Sequence, residues 1–154
     1  MVIREVGLLF RGYSLINAKY HQTGYKIDDD LRNGLFTAIL NFAEQAFLKN
    51  DIEYFEGDDY VISFYEGEIK AEYAEDKEPL IAYAILDKEK KIEKFIHKVL
   101  QPLLRKALNE FKKYNEGKFL SEVSQFKDFK KTLDFIFGSN TRTVDQKFED
   151  LFSD

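Results

Sequence analysis

Along the first twenty residues the chain shows short apolar runs with strand-like alternation. Beyond them the spacing of apolar residues turns helical. Ile3 to Phe10 reads as a strand, with Val2, Val6, Leu8 and Phe10 on one side and Ile3 and Leu9 on the other. Arg11-Gly12 is a turn signal, because glycine takes positive φ at little cost. Tyr13 to Tyr20 supplies a second strand, with Ile16, Ala18 and Tyr20 on one face, so the N-terminus is expected to be a hairpin.

Asp28 to Leu48 predicts a helix. Asp28, Asp29 and Asp30 cap free N–H groups and place negative charge at the positive end of the helix dipole. Leu31, Leu35, Ala38, Ile39, Phe42 and Ala46 form one apolar stripe, and Phe36, Leu40, Ala43 and Phe47 form a second beside it. Together they are broader than the stripe of roughly 100° that an ordinary surface helix carries. Two readings stand open. The helix lies deep in the core, or its second stripe is a partner interface.

After the breaker Asn50-Asp51 comes a short β-prone run, Ile52 to Phe55, and then the turn Glu56-Gly57-Asp58-Asp59. Tyr60 to Tyr65 is the strongest strand signal in the chain. Ile69 to Tyr73 can extend a strand, with the rest of Gly67 to Pro79 as loop. Leu80 to Leu86 is uninterrupted apolar sequence, as in a central strand buried on both faces.

Asp87 is a candidate cap for a long helix whose face comprises Ile92, Phe95, Ile96, Val99, Leu103, Ala107, Phe111 and Tyr114. Pro102 lies inside it and predicts a kink. Gly117 suits a left-handed cap. A third helix is expected from about Ser124 to Phe137, with Phe126, Phe129, Leu133, Ile136 and Phe137 inward and Gly138 closing it. The tail from Ser139 places Val144, Phe148, Leu151 and Phe152 at helical spacing. It reads as a short docked helix or frayed terminus, or as an amphipathic partner-binding segment.

These elements predict an α+β fold: a five-stranded antiparallel sheet with helices, in the order β-β-α-β-β-β-α-α. Residues 1–138 form one domain and residues 139–154 a tail. With 154 residues the chain is long enough for a real core. Cysteine is absent, which removes disulfides and thiolate metal sites. The net charge of −5 argues against a dedicated nucleic-acid binder, although a local basic patch is compatible with it. No apolar run is long enough for a transmembrane helix, and the N-terminus lacks signal-peptide order, so the expected location is cytoplasmic.

Catalytic motifs are missing. The chain holds no phosphate loop, dinucleotide fingerprint, nucleophile elbow or paired-histidine zinc motif. The only histidines are His21, ending a strand, and His97, at the edge of a helix face. No catalytic residue, metal site or cofactor is therefore expected, and the chain is read as not an enzyme. Arg142 reads as a solvated tail residue.

Three stretches carry a family likeness: IREVGLLFRGYSLINAKYH, DDDLRNGLFTAILNFAEQAF, and YFEGDDYVISFYEG followed by PLIAYAIL. In order and hydrophobic pattern they resemble the opening hairpin, central helix and closing strands of the longin domain, in the longin/roadblock-like superfamily. The resemblance implies a longin/profilin-like α-β sandwich and a non-enzymatic protein-interaction scaffold. Such a scaffold binds or regulates a small Ras-like GTPase, a vesicle trafficking-like complex, or another longin or roadblock subunit, with a homodimer also within reach. A stand-alone archaeal version suits the Lys/Glu-rich composition. The partner-binding residues it implies are Phe36, Leu40, Ala43 and Phe47, with an exposed sheet edge or Phe148, Leu151 and Phe152 as the other candidates. A different class remains open: a sensor of the same general shape that holds an apolar small molecule between sheet and helix.

Overall fold

The computed structural model describes residues 3–20, 54–56 and 60–138. Strands β1 (Ile3–Phe10), β2 (Tyr13–Lys19), β4 (Tyr60–Ile69) and β5 (Glu78–Asp87) form an antiparallel sheet, with a short β3 (Tyr54–Glu56) at one edge. The spatial order is β2-β1-β5-β4-β3. Helix α1 spans residues 92–115 and helix α2 is Phe129–Phe137.

Five full strands were expected, and this is corrected. Four strands of 7 to 10 residues make the sheet, and β3 contributes only three residue pairs along the edge of β4. The physical reason lies in its flanks, since Asn50-Asp51 and Glu56-Gly57-Asp58-Asp59 are turn signals that leave only the four residues Ile52 to Phe55 between them. The helix expected over Asp28 to Leu48 lies outside the described residues, so the order β-β-α-β-β-β-α-α is not what is described. The five-stranded longin/profilin-like sandwich gives way to an α+β arrangement of four long antiparallel strands and two helices.

β5 behaves as its apolar run predicts. It pairs with β1 on one side and with β4 on the other. Leu80, Ala82, Ala84 and Leu86 face the helices, while Ile81, Tyr83 and Ile85 are buried on the opposite face.

The hairpin turn has positive φ at both Arg11 and Gly12, which is the two-residue turn whose twist matches its strands. Two irregularities alter the expected faces of β1 and β2. The register against β5 shifts between Ile3 and Glu5, and Ile3 joins Val6, Leu8 and Phe10 on the helix side instead of opposing them. A second shift opposite Leu8 and Leu9 brings Leu15 into the same core as Ala18. A bulge adds one residue to one strand, and one residue is all that reverses a face.

Helix α1 explains its own proline. Residues Ile96–Leu100 form a π turn, in which the Gln101 N–H donates to the Ile96 carbonyl instead of to the residue four back. Pro102 follows at once, with no N–H to give and a ring that crowds the carbonyl four residues earlier. The predicted kink is taken up by this wider turn. The buried stripe is Ile92, Ile96, Leu100, Leu104, Ala107, Leu108 and Phe111, in repeated four-residue steps. Twelve residues of regular helix from Ile92 would carry Leu104 about 120° past the starting face. The extra residue in the π turn removes most of that drift. Val99 and Tyr114, expected inward, are therefore exposed, and Leu100, Leu104 and Leu108 take the core positions.

Asp87 is not the helix cap. It ends β5, where Arg4 Nε and Nη2 donate to its two carboxylate oxygens at 2.9 and 3.0 Å. The residue before α1 is Lys91, at φ 63. At the helix C-terminus Gly117 does take left-handed φ, while Gly138 stays right-handed. Phe126, Leu133, Ile136 and Phe137 are buried and Phe129 partly so, as expected.

Two close approaches set the sheet faces. Gly67 lets Leu108 of α1 sit on β4, where a Cβ would stand 2.8 Å from that leucine. On the other face Tyr83 lies across Gly7 and donates its hydroxyl to the buried Glu5 carboxylate at 2.6 Å. A Cβ on Gly7 would meet the Tyr83 ring and hydroxyl at 2.6 Å. Gly7→Ala is therefore expected to cost about 1–3 kcal/mol through overpacking. Denaturant unfolding checks this, and an unchanged midpoint would show that the face yields freely.

Candidate interaction surface

The partner-binding residues predicted from sequence, Phe36, Leu40, Ala43, Phe47, Phe148, Leu151 and Phe152, all lie outside the described residues. His21 does too. His97 is exposed, not at the edge of the buried face. Among the described residues no three of His, Asp or Glu converge on a common point. No described helix is long and apolar enough to cross a membrane. The cleft between Glu56 and residues 88–93 holds about 530 Å³ and is lined mainly by lysines and glutamates.

The feature that stands out lies at the end of the molecule where α1 stops. β4 finishes at Ile69, and the chain turns through residues 70–77 before β5 begins at Glu78. This loop is stitched to the segment after α1. Gly117 N–H donates to the Lys70 carbonyl at 2.7 Å, and Glu72 N–H donates to the Lys118 carbonyl at 2.9 Å. Ala71 and Leu120 are buried beneath the seam. The hairpin turn reaches the same end, with the Tyr13 hydroxyl against the Leu120 carbonyl and Arg11 paired to Glu78.

Three aromatic side chains are left outside this framework: Tyr73 at 95% exposure, Tyr114 at 56% and Phe119 at 55%. Single exposed apolar residues are ordinary; these three lie on two segments joined by the backbone hydrogen bonds above. Tyr73 is the most telling. It occupies a tight turn in which the Ala74 N–H donates to the Ala71 carbonyl at 3.2 Å, and its φ is 61°. Glycine or asparagine would take that conformation more cheaply, so a fully exposed tyrosine there costs stability without adding packing. Lys113 lies 5.4 Å from the Tyr114 ring centre. Sequence reasoning missed this group. Tyr114 was expected inward, and Tyr73 was read only as the end of an ambiguous strand.

Electrostatics holds the end in place. Arg11 Nε and Nη2 donate to the two Glu78 oxygens at 2.8 and 2.6 Å, and the guanidinium lies 4.9 Å from the Phe10 ring centre. This pairing raises the Arg11 pKa and lowers that of Glu78, the hydrogen bonds being the main cause. Just past the end of β2, burial and then the bond to Asp134 at 2.8 Å push the Tyr20 hydroxyl pKa up.

No protein-family model matches this chain, and no curated protein matches it in sequence.

Two outcomes follow. Tyr73→Asn is expected to leave stability unchanged or raise it by about 0.5–1 kcal/mol, since asparagine tolerates left-handed φ. A thermal melt shifted down by several degrees would make Tyr73 a packing residue. Glu78 has a lowered pKa in the folded state, so its contribution is complete above its ordinary pKa and fades as pH falls through the lowered one. For an exposed pair this amounts to about 0.5 kcal/mol, lost as pH falls below the ordinary carboxylate range. Glu78→Gln should remove that part of the acid sensitivity, which a series of melts against pH would register.

Proposed function

We propose that this chain is a non-catalytic protein-interaction domain, and that a small Ras-like GTPase or a trafficking-type complex is the partner class it serves. One observation carries the reading: Tyr73, Tyr114 and Phe119 are each exposed, on two segments whose backbones are tied to each other by hydrogen bonds. Tyrosine and phenylalanine add large contact area with few rotatable bonds, which is why aromatic residues dominate binding hot spots. The strained φ of Tyr73 supports the same reading, because a residue kept at a cost to stability is better accounted for by binding than by folding. The GTPase assignment draws its support from the longin-like stretches of sequence, which imply that partner class.

The test is a pull-down from the protein's native cells, supplemented with either GDP or a non-hydrolysable GTP analogue. Wild type is expected to retain a small GTPase in one nucleotide state. A Tyr114→Ser/Phe119→Ser variant that still melts cooperatively should retain it roughly tenfold less well, in keeping with the loss of interface anchors. Equal retention by the variant would remove this surface from the proposal, and absence of any GTPase in either state would remove the partner class.

A further inference from the structure

The second face of the sheet is buried, yet no described helix lies over it. Leu9, Ile62, Phe64, Ile81, Tyr83 and Ile85 are each at most 8% exposed. All the buried residues of α1, of α2 and of the segment between them pack in the other cluster, on the opposite face. Among the described residues, the second cluster consists of strand residues alone, with Tyr60 at its margin. Glu5 belongs to this side too, a carboxylate 6% exposed that accepts the Tyr83 hydroxyl. Strand side chains stand roughly perpendicular to their sheet, so one layer cannot shield its own outward face, and a buried carboxylate is costly. The cover comes from elsewhere in the chain.

Topology names the segment. β2 and β3 hold opposite edges of the sheet. Four antiparallel pairings separate them, so the two strands run in the same direction. The 34 residues 20–53 join the end of β2 to the start of β3. They must return along the strands and cross the whole sheet, about 19 Å at four strand spacings. A connection between parallel strands of one sheet passes over one of its faces. The helix side is already taken, by α2 against β2 and β1 and by α1 against β5 and β4. We infer that residues 20–53 cross the second face, and that the apolar stretch 28–48 is the cover over Ile81, Tyr83 and Ile85. That stretch holds eleven apolar residues, against four in the tail 139–154. In the helical state its spacing predicts, it reaches about 30 Å, enough for an oblique crossing. A helix turns only part of its circumference to a sheet, so one of its two apolar stripes seats here. The second face is thereby closed to a partner.

The test is photo-crosslinking in the full chain, with a diazirine analogue of leucine as the probe. One protein carries it at Leu9 and a second at Ile85, both on the second face. A third carries it at Leu8, the neighbouring residue that faces the helices, as the control. The probe is close in size to the residue it replaces, so the fold is expected to hold, and a cooperative melt checks this. The Leu9 probe, a near-isostere of the native side chain, keeps the test alive if the Ile85 protein fails to fold. Irradiation, digestion and mass spectrometry then read which peptide is captured. Beyond the neighbouring strands, the Leu9 or Ile85 probe is expected to capture residues 28–48 in a species of monomer mass. That product is expected to be lost when the probe stands at Leu8. Capture of residues 139–154 in its place makes the tail the cover and overturns the inference. Capture of residues 28–48 only in a species of dimer mass gives the face to a second copy and overturns it as well. Capture within the sheet alone, with the remaining probe quenched by water, shows an open face and does the same.

Discussion

Everything described in this molecule is arranged around β5. Its seven apolar residues from Leu80 to Leu86 have no polar face, so the strand is stable only with neighbours on both edges and cover on both sides. β1 and β4 supply the edges. α1 supplies the cover on one face, and the register then dictates which residues of the flanking strands are drawn inward. The alternation Leu80, Ala82, Ala84, Leu86 leaves two alanines at the middle of the helix-facing row. Gly67 and Leu108 meet on the neighbouring strand, another place where a small residue lets α1 come close.

The helix that seals this face had to solve a geometric mismatch. Apolar residues in repeated four-residue steps drift around a regular α-helix, and Pro102 forbids a regular hydrogen bond in the same region. One π turn answers both constraints. It widens the helix where the proline removes a donor, and it returns Leu104 to the face of Ile92. Gln101 then donates to the Ser63 hydroxyl and the Phe64 carbonyl at 3.0 Å, which ties the altered turn to β4.

The described surface is uneven. Most exposed positions are charged, as a solvated domain needs. The end where the loop of residues 70–77 meets the segment after α1 departs from that pattern. Its backbone is held by hydrogen bonds and by the Arg11–Glu78 pair, yet its aromatic side chains are left outside. A rigid frame with apolar side chains in solvent lowers the entropic cost of binding, since less must be ordered when a partner arrives.

How much of this was legible in the sequence can be traced residue by residue. The hairpin turn at Arg11-Gly12, the central place of Leu80 to Leu86 and the inward set of the last helix follow from period and composition, because burial selects apolar residues at a spacing the backbone dictates. Tertiary structure alone decided the rest. Bulges in β1 and β2 moved Ile3 and Leu15 across the sheet, and the π turn exchanged Val99 for Leu100. Asp87 joined Arg4, 83 residues away, instead of capping the next helix. Each is a shift of a single residue or a contact between distant segments. Local propensity is nearly indifferent to such choices, while the packing of a shared core is not.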